Sequence, residues 1–77
     1  MIKIIISCAM SDKIRGFYDT FADEKITKCT FDKKVGIKHY YDVETEMAPA
    51  DAAKYLKGKL PDGGAIYFSV QPDGYFG

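Results

Sequence analysis

The sequence predicts one small domain of the α+β class, and three observations lead to that prediction. Runs rich in Ile, Val, Thr and Tyr, which favour strands, recur along the chain. Two segments between them carry apolar residues at the three- and four-residue spacing of a helix. The chain has 77 residues, and this is too short for two independent cores, since domains mostly run to roughly 100–150 residues. Residues 1–77 are therefore taken as a single domain.

The first third of the chain predicts a strand and then a helix. The β-branched run from Lys3 to Ser7 is typical of an interior strand. Ser11 and Asp12 supply an N-cap and a first-turn acid for the helix that follows. The apolar side chains of that helix fall on one face: Ile14, Phe17, Tyr18 and Phe21. We expect the helix to fade near residues 23–25.

The middle of the chain predicts an antiparallel hairpin. Its strands are residues 26–31 and 37–45, and residues 32–36 form the connection, in which Gly36 is free to take a positive φ.

The last third predicts a second helix and a last strand. Pro49 suits the first turn of the helix, and residues 61–64 end it. The strand covers residues 65–70, with Phe68 and Val70 on one face and Tyr67 and Ser69 on the other. A turn over residues 71–74 follows.

The order of these elements is β-α-β-β-α-β. It matches the split βαβ, or ferredoxin-like, arrangement, in which two helices pack on one face of a four-stranded antiparallel sheet. That expectation concerns the fold alone, because this fold carries many unrelated functions.

Composition narrows the class of partner. Eleven basic and eleven acidic residues give a net charge of zero, so no global field favours nucleic acid or an anionic membrane. The charges are nevertheless grouped: lysines at 25, 28, 33, 34 and 38 precede acids at 42, 44, 46 and 51. The apolar start of the chain is cut by Lys3 and is too short for a membrane span or a signal peptide. With two cysteines and no disulfide pattern, we expect reduced thiols and a cytoplasmic location.

The segment Cys8-Ala9-Met10-Ser11 places a thiol between a strand end and a helix start. A helix N-terminus stabilises a thiolate through its N–H groups and dipole. The spacing resembles the single-thiol form of the thioredoxin-like active site, and this resemblance implies a reactive Cys8 supported by Ser11. The chain lacks a facing Thr-Val-Pro-like segment and has a different element order. The alternative is that Cys8 is a small residue closing the first strand, and we expect Cys29 to be a core residue.

His39 is the only histidine of the chain. No ligand spacing around it supports a metal site, and no motif indicates a cofactor. Alternation puts it on the same face as Ile37, Tyr41 and Val43, so we expect a structural histidine.

The sheet face opposite the helices predicts a contact surface. In the expected register it carries Lys3, Ile5, Ser7, Lys38, Tyr40, Asp42, Tyr67 and Ser69. Tyrosine gives a large contact area at low entropy cost and is enriched at interfaces. This face, or the basic hairpin of Lys33, Lys34 and Lys38, would dock onto another protein or onto a second copy as a homodimer. The alternative is a solvated face with scattered tyrosines.

The sequence therefore predicts a non-enzymatic binding module, such as a stoichiometric inhibitor. Two alternatives remain open. One is a thiol redox protein using Cys8 with Ser11. The other is weak single-stranded nucleic-acid binding, with Tyr40 and Tyr67 stacking on bases and lysines meeting phosphate.

Overall fold

The computed structural model describes residues 2–60 and 67–73. Its elements in chain order are β1 Ile2–Ser7, α1 Ser11–Tyr18, β2 Ile26–Val35, β3 Lys38–Thr45, α2 Pro49–Lys57 and β4 Ser69–Pro72. The expected turn over residues 61–64, the start of the expected last strand and the tail 74–77 lie outside the described residues.

The four strands form one sheet in the order β2-β3-β1-β4, and each neighbouring pair is antiparallel. The predicted α+β class, with two helices and a four-stranded antiparallel sheet, is confirmed. Ile5 pairs with Tyr40 near the centre of the sheet. Ser7, the last residue of β1, lies opposite Lys38 on one side and Ser69 on the other.

One face of the sheet carries the core, because alternate strand residues point to the same side. The buried side chains of this cluster come from the strands, from both helices and from residues that adjoin them: Ile4, Ile6, Cys8, Ile14, Tyr18, Ile26, Cys29, Tyr41, Val43, Ala52, Ala53, Leu56, Leu60 and Phe68. The Tyr18 hydroxyl donates to the Leu56 carbonyl at 2.6 Å and so joins α1 to α2. Both helices therefore cover the same face. No helix within the described residues is long and apolar enough to cross a membrane.

The hairpin between β2 and β3 is tighter than the sequence predicted. Residues 32–35 continue β2 instead of forming a loop, and Val35 pairs directly with Lys38. Gly36 has a φ of 62°, the left-handed conformation that a two-residue hairpin turn requires and that glycine adopts at little cost. The polar residues expected in the connection remain in the strand because their side chains are exposed there.

Helix α1 ends earlier than its apolar spacing suggests. It stops at Tyr18, and Asp23 then turns the chain by accepting the N–H groups of Lys25 and Ile26 at 2.9 Å. Phe21 still packs against the core from outside the helix. The expected N-cap was also wrong: Met10 occupies that position, and Ser11 is the first helical residue.

Strand β4 begins at Ser69, after Tyr67 and Phe68 of the expected strand, and runs through Pro72. Proline is tolerated there because β4 is an edge strand with one unpaired side. Phe68 is buried and Tyr67 is exposed, as the alternation predicted, but both precede the strand.

Candidate binding surface at one end of the sheet

The face of the sheet that the helices leave uncovered has ion pairs at its middle. Lys3 lies between two carboxylates, 2.6 Å from Asp32 and 3.3 Å from Asp42. The hydrogen bond from Lys3 lowers the pKa of Asp32, and the same bond raises the pKa of Lys3. Lys3, which the sequence placed in the contact surface, therefore forms ion pairs within the protein itself.

The tyrosine strip expected on this face is less exposed than the sequence suggested. Ile5 retains only 7% of its accessible surface, and Tyr40 beside it is half-buried. Lys33 lies over the Tyr40 ring, 5.1 Å from its centroid. The register brings Lys3, Ile5 and Tyr40 together, but the centre of the face offers little free apolar area.

Tyr67 lies apart from that centre. It is 95% exposed and precedes Ser69 by two residues. Because Ser69 pairs with Ser7, Tyr67 lies at the end of the sheet where β1 finishes.

The large exposed apolar side chains of the described residues lie toward this same end, spread from β2 across to β4. They are Met10, Val35, Ile37 and Tyr67, and we call them the apolar end. Val35 is the last residue of β2 and Ile37 is the second residue of the hairpin turn, and each is 55% exposed. The Ile37 carbonyl accepts the Cys8 N–H at 2.9 Å, which ties the turn to the segment leading into α1. An exposed apolar patch on so small a molecule is typical of an interaction site.

Lysines lie beside Val35 and Ile37 of the apolar end. Lys33, Lys34 and Lys38 are all exposed, and the segment 33–38 contains no acidic residue. We call this segment the basic tip. At the opposite end of the hairpin, Glu44 and Glu46 follow on β3 and just beyond it. The binding lysines expected from the sequence thus lie beside Val35 and Ile37, which sequence reasoning did not select, whereas it did select Tyr67.

Ser11 and His39 contact each other behind the basic tip, and Cys8 directly follows the end of β1. Cys8 is 2% exposed, and its Sγ accepts the Met10 N–H at 3.3 Å. His39 is fully buried; its Nδ1 lies 2.9 Å from the Ile6 carbonyl and its Nε2 lies 3.1 Å from the Ser11 hydroxyl. The expectation of a packed histidine agrees with this burial. Its pairing with Ser11 was missed, because the two residues are far apart in sequence and no local pattern signals the contact.

The other buried ionisable groups belong to the core. Burial raises the pKa of Cys29 to about 11, and the nearby Asp23 charge adds to the effect. Burial also raises the pKa of Tyr41, whose hydroxyl donates to Asp19 at 2.6 Å. Asp19 accepts the Arg15 Nε as well, at 2.9 Å, and the Arg15 guanidinium lies over the Phe31 ring. These contacts stabilise the packing of α1 on the sheet.

Within residues 2–60 and 67–73, no group of three His, Cys, Asp or Glu side chains is arranged to hold a metal ion. Comparisons of the chain with protein-family models, with curated proteins and with solved structures found no match. A function for this chain is therefore inferred from its surface and side-chain geometry.

Proposed function

We propose that this protein is a non-enzymatic binding module that docks its apolar end and basic tip onto an acidic, apolar segment of a partner protein. One observation carries the proposal: Met10, Val35, Ile37 and Tyr67 are all exposed at the end of the sheet that bears the basic tip. The apolar side chains supply affinity, and the lysines select for an acidic partner.

The expected contributions to the binding free energy are those of a contact of modest affinity. Covering the exposed half of Val35 or Ile37 contributes about 1 kcal/mol for each side chain. Lys33, Lys34 and Lys38 add electrostatic steering, which raises the association rate and disfavours basic partners. A fully exposed Tyr67 adds a large contact area with few rotatable bonds.

The test is a selection of displayed random peptides on the immobilised protein, followed by affinity measurements with the enriched peptides. We expect enriched peptides to combine acidic with apolar or aromatic residues. Val35→Ser with Ile37→Ser, and Lys33→Glu with Lys34→Glu, should each weaken their binding at least about tenfold, which is about 1.4 kcal/mol.

A matched control makes that test specific. Lys25→Glu with Lys28→Glu changes the net charge by the same amount, and both residues are exposed near the start of β2, at the opposite end of that strand from the basic tip. This control should bind the peptides as the unmodified protein does. Equal weakening by both charge-reversal pairs would contradict the proposed surface.

Two other ligands of the same surface, a second copy of the chain and a nucleic acid, can be tested as well. Sedimentation of the purified protein detects a second copy: a dimer that Val35→Ser with Ile37→Ser dissociates would replace the partner protein by the chain itself. Anisotropy with a labelled single-stranded oligonucleotide detects nucleic acid, whose affinity would fall steeply with salt. Oligonucleotide binding tighter than that of any selected peptide would overturn the protein-partner proposal.

We also propose that the protein has the ferredoxin-like arrangement and that it is located in the cytoplasm. The ferredoxin-like arrangement is supported by the β-α-β-β-α-β order and by strands β1 and β3 at the centre of the sheet; counted from the β4 edge, the strand order is β4-β1-β3-β2. Proton–proton contacts measured by NMR between β1 and β4 test it, and their absence would exclude it. The two free cysteines support a reducing, cytoplasmic location.

A further inference from the structure

The side chains of Ser11 and His39 form a hydrogen-bonded pair whose direction is fixed by a third group. His39 Nδ1 lies 2.9 Å from the Ile6 carbonyl oxygen. A carbonyl oxygen only accepts, so Nδ1 carries the ring proton. Nε2 of the neutral ring is then an acceptor, and the Ser11 hydroxyl donates to it across 3.1 Å.

This is the arrangement of an activated nucleophile: a hydroxyl bonded to a base whose ring is oriented from behind. In many nucleophile–histidine sites a carboxylate accepts the second ring N–H. Here the Ile6 carbonyl takes that position, so it fixes the tautomer without adding a negative charge. His39 is fully buried, which holds the ring in place and keeps solvent from competing for Nε2.

Ser11 also borders open space. Ser11 is half-buried, and it lines an open cavity of about 400 Å³ together with Ala9, Met10, Asp12 and Lys13. As the first residue of α1, it lies at the end of the helix where the helix dipole favours negative charge. A small acyl group entering the cavity reaches Ser11 and not the ring behind it.

We propose that Ser11 is a covalent modification site that takes an acyl group from an activated acyl ester, with His39 as the base. The Ser11 oxygen attacks the ester carbonyl carbon, and its proton passes to His39 Nε2. The bond between that carbon and the leaving oxygen then breaks, and the departing alkoxide or phenoxide takes the proton from Nε2. The products are O-acyl Ser11 and the free alcohol or phenol.

The inference does not rest on the proposed binding function, because it needs no partner protein, although Met10 belongs both to the cavity and to the apolar end. The probe is p-nitrophenyl acetate, added to the full chain at neutral pH. We expect release of one equivalent of p-nitrophenol, a mass increase of one acetyl group, and a modified peptide that contains Ser11.

Three variants sharpen the assignment. Ser11→Ala should abolish the fast labelling. Ser69→Ala, which removes another serine hydroxyl at this end of the sheet, should leave it unchanged. His39→Asn keeps an N–H for the Ile6 carbonyl but removes the acceptor facing Ser11, so labelling should slow about 100-fold, within the range of general-base catalysis.

The acylation of Ser11 can also be tested on the unmodified protein alone. In the folded protein Ser11 should be labelled faster than Ser69, and urea should abolish the difference. Labelling confined to lysines would overturn the proposal, as would equal labelling of the two serines in the folded state. An acetyl group found on Cys8 instead would also overturn it and would favour a reactive thiol.

Discussion

The ionisable side chains of the core lose their contact with water when the protein folds. Cys29 is 3% exposed, and Tyr18 and Tyr41 are almost fully buried. Burial disfavours the charged form of each group and raises its pKa, for Cys29 to about 11. All three are therefore neutral in the folded protein at physiological pH.

We expect the free energy of unfolding to fall in alkali, and ionisation of Cys29 to be the first cause of this loss. Its pKa is raised in the folded state, so its contribution is complete below the pKa of the unfolded thiol and is lost as pH rises toward about 11. The loss is on the order of 2 kcal/mol. Urea denaturation at pH values from about 8 to 10.5 measures it, before the tyrosines of the unfolded chain dominate.

Cys29→Ala is the control for that measurement. The variant should be less stable at neutral pH because of lost packing, and its stability should decline less steeply over the same pH range. Parallel curves for the two proteins would show that Cys29 does not set the alkaline limit.

Residue-scale prediction from the sequence succeeded where a local pattern carried the information. Cys29 was correctly assigned to the core from its mid-strand position. Ser11 was expected to cap α1, but its hydroxyl instead bonds His39, which is 28 positions away in sequence. Such a contact is set by the packing of α1 against β3, which no sequence spacing reveals.

At the scale of elements, two glycines with opposite backbone roles provide a direct test. Gly36 has a φ of 62° in the hairpin turn, whereas Gly16 lies within α1, and an added Cβ would meet no atom within 4 Å at either site. Any effect of an alanine is therefore an effect of the backbone.

Gly36→Ala should destabilise the protein by about 1–2 kcal/mol, the cost of a left-handed conformation for an L-residue. Gly16→Ala should stabilise it by up to about 1 kcal/mol, because alanine favours the helix. Urea denaturation of the two variants checks both signs. A stabilising Gly36→Ala would mean that the turn does not need a positive φ.

Element boundaries were harder to predict from the sequence than element types. The two helices and four strands were expected in the right order, since their apolar spacing and β-branched runs are local signals. The ends of α1, β2 and β4 depend on longer-range contacts, such as the pairing of Pro72 with Ile4. For the same reason the sequence indicated the lysines of the basic tip but not the apolar side chains beside them.

At the scale of the whole molecule, a net charge of zero conceals an uneven distribution. The exposed lysines of the basic tip lie at one end of the hairpin, while Glu44 and Glu46 lie at the other. An approaching charged surface responds to the nearest charges, because salt screens those more than about 10 Å away at 0.1 M ionic strength. The two ends should consequently act as separate surfaces.

Cation-exchange chromatography at neutral pH and low ionic strength tests that separation without any partner. We expect the protein to be retained despite its zero net charge, because the basic tip contacts the resin. Lys33→Glu with Lys34→Glu should abolish retention. Lys25→Glu with Lys28→Glu removes the same amount of positive charge near Glu44 and Glu46, and it should elute close to the unmodified protein. Equal losses for the two pairs would mean that the resin senses only net charge, and the basic tip would then have no separate electrostatic role.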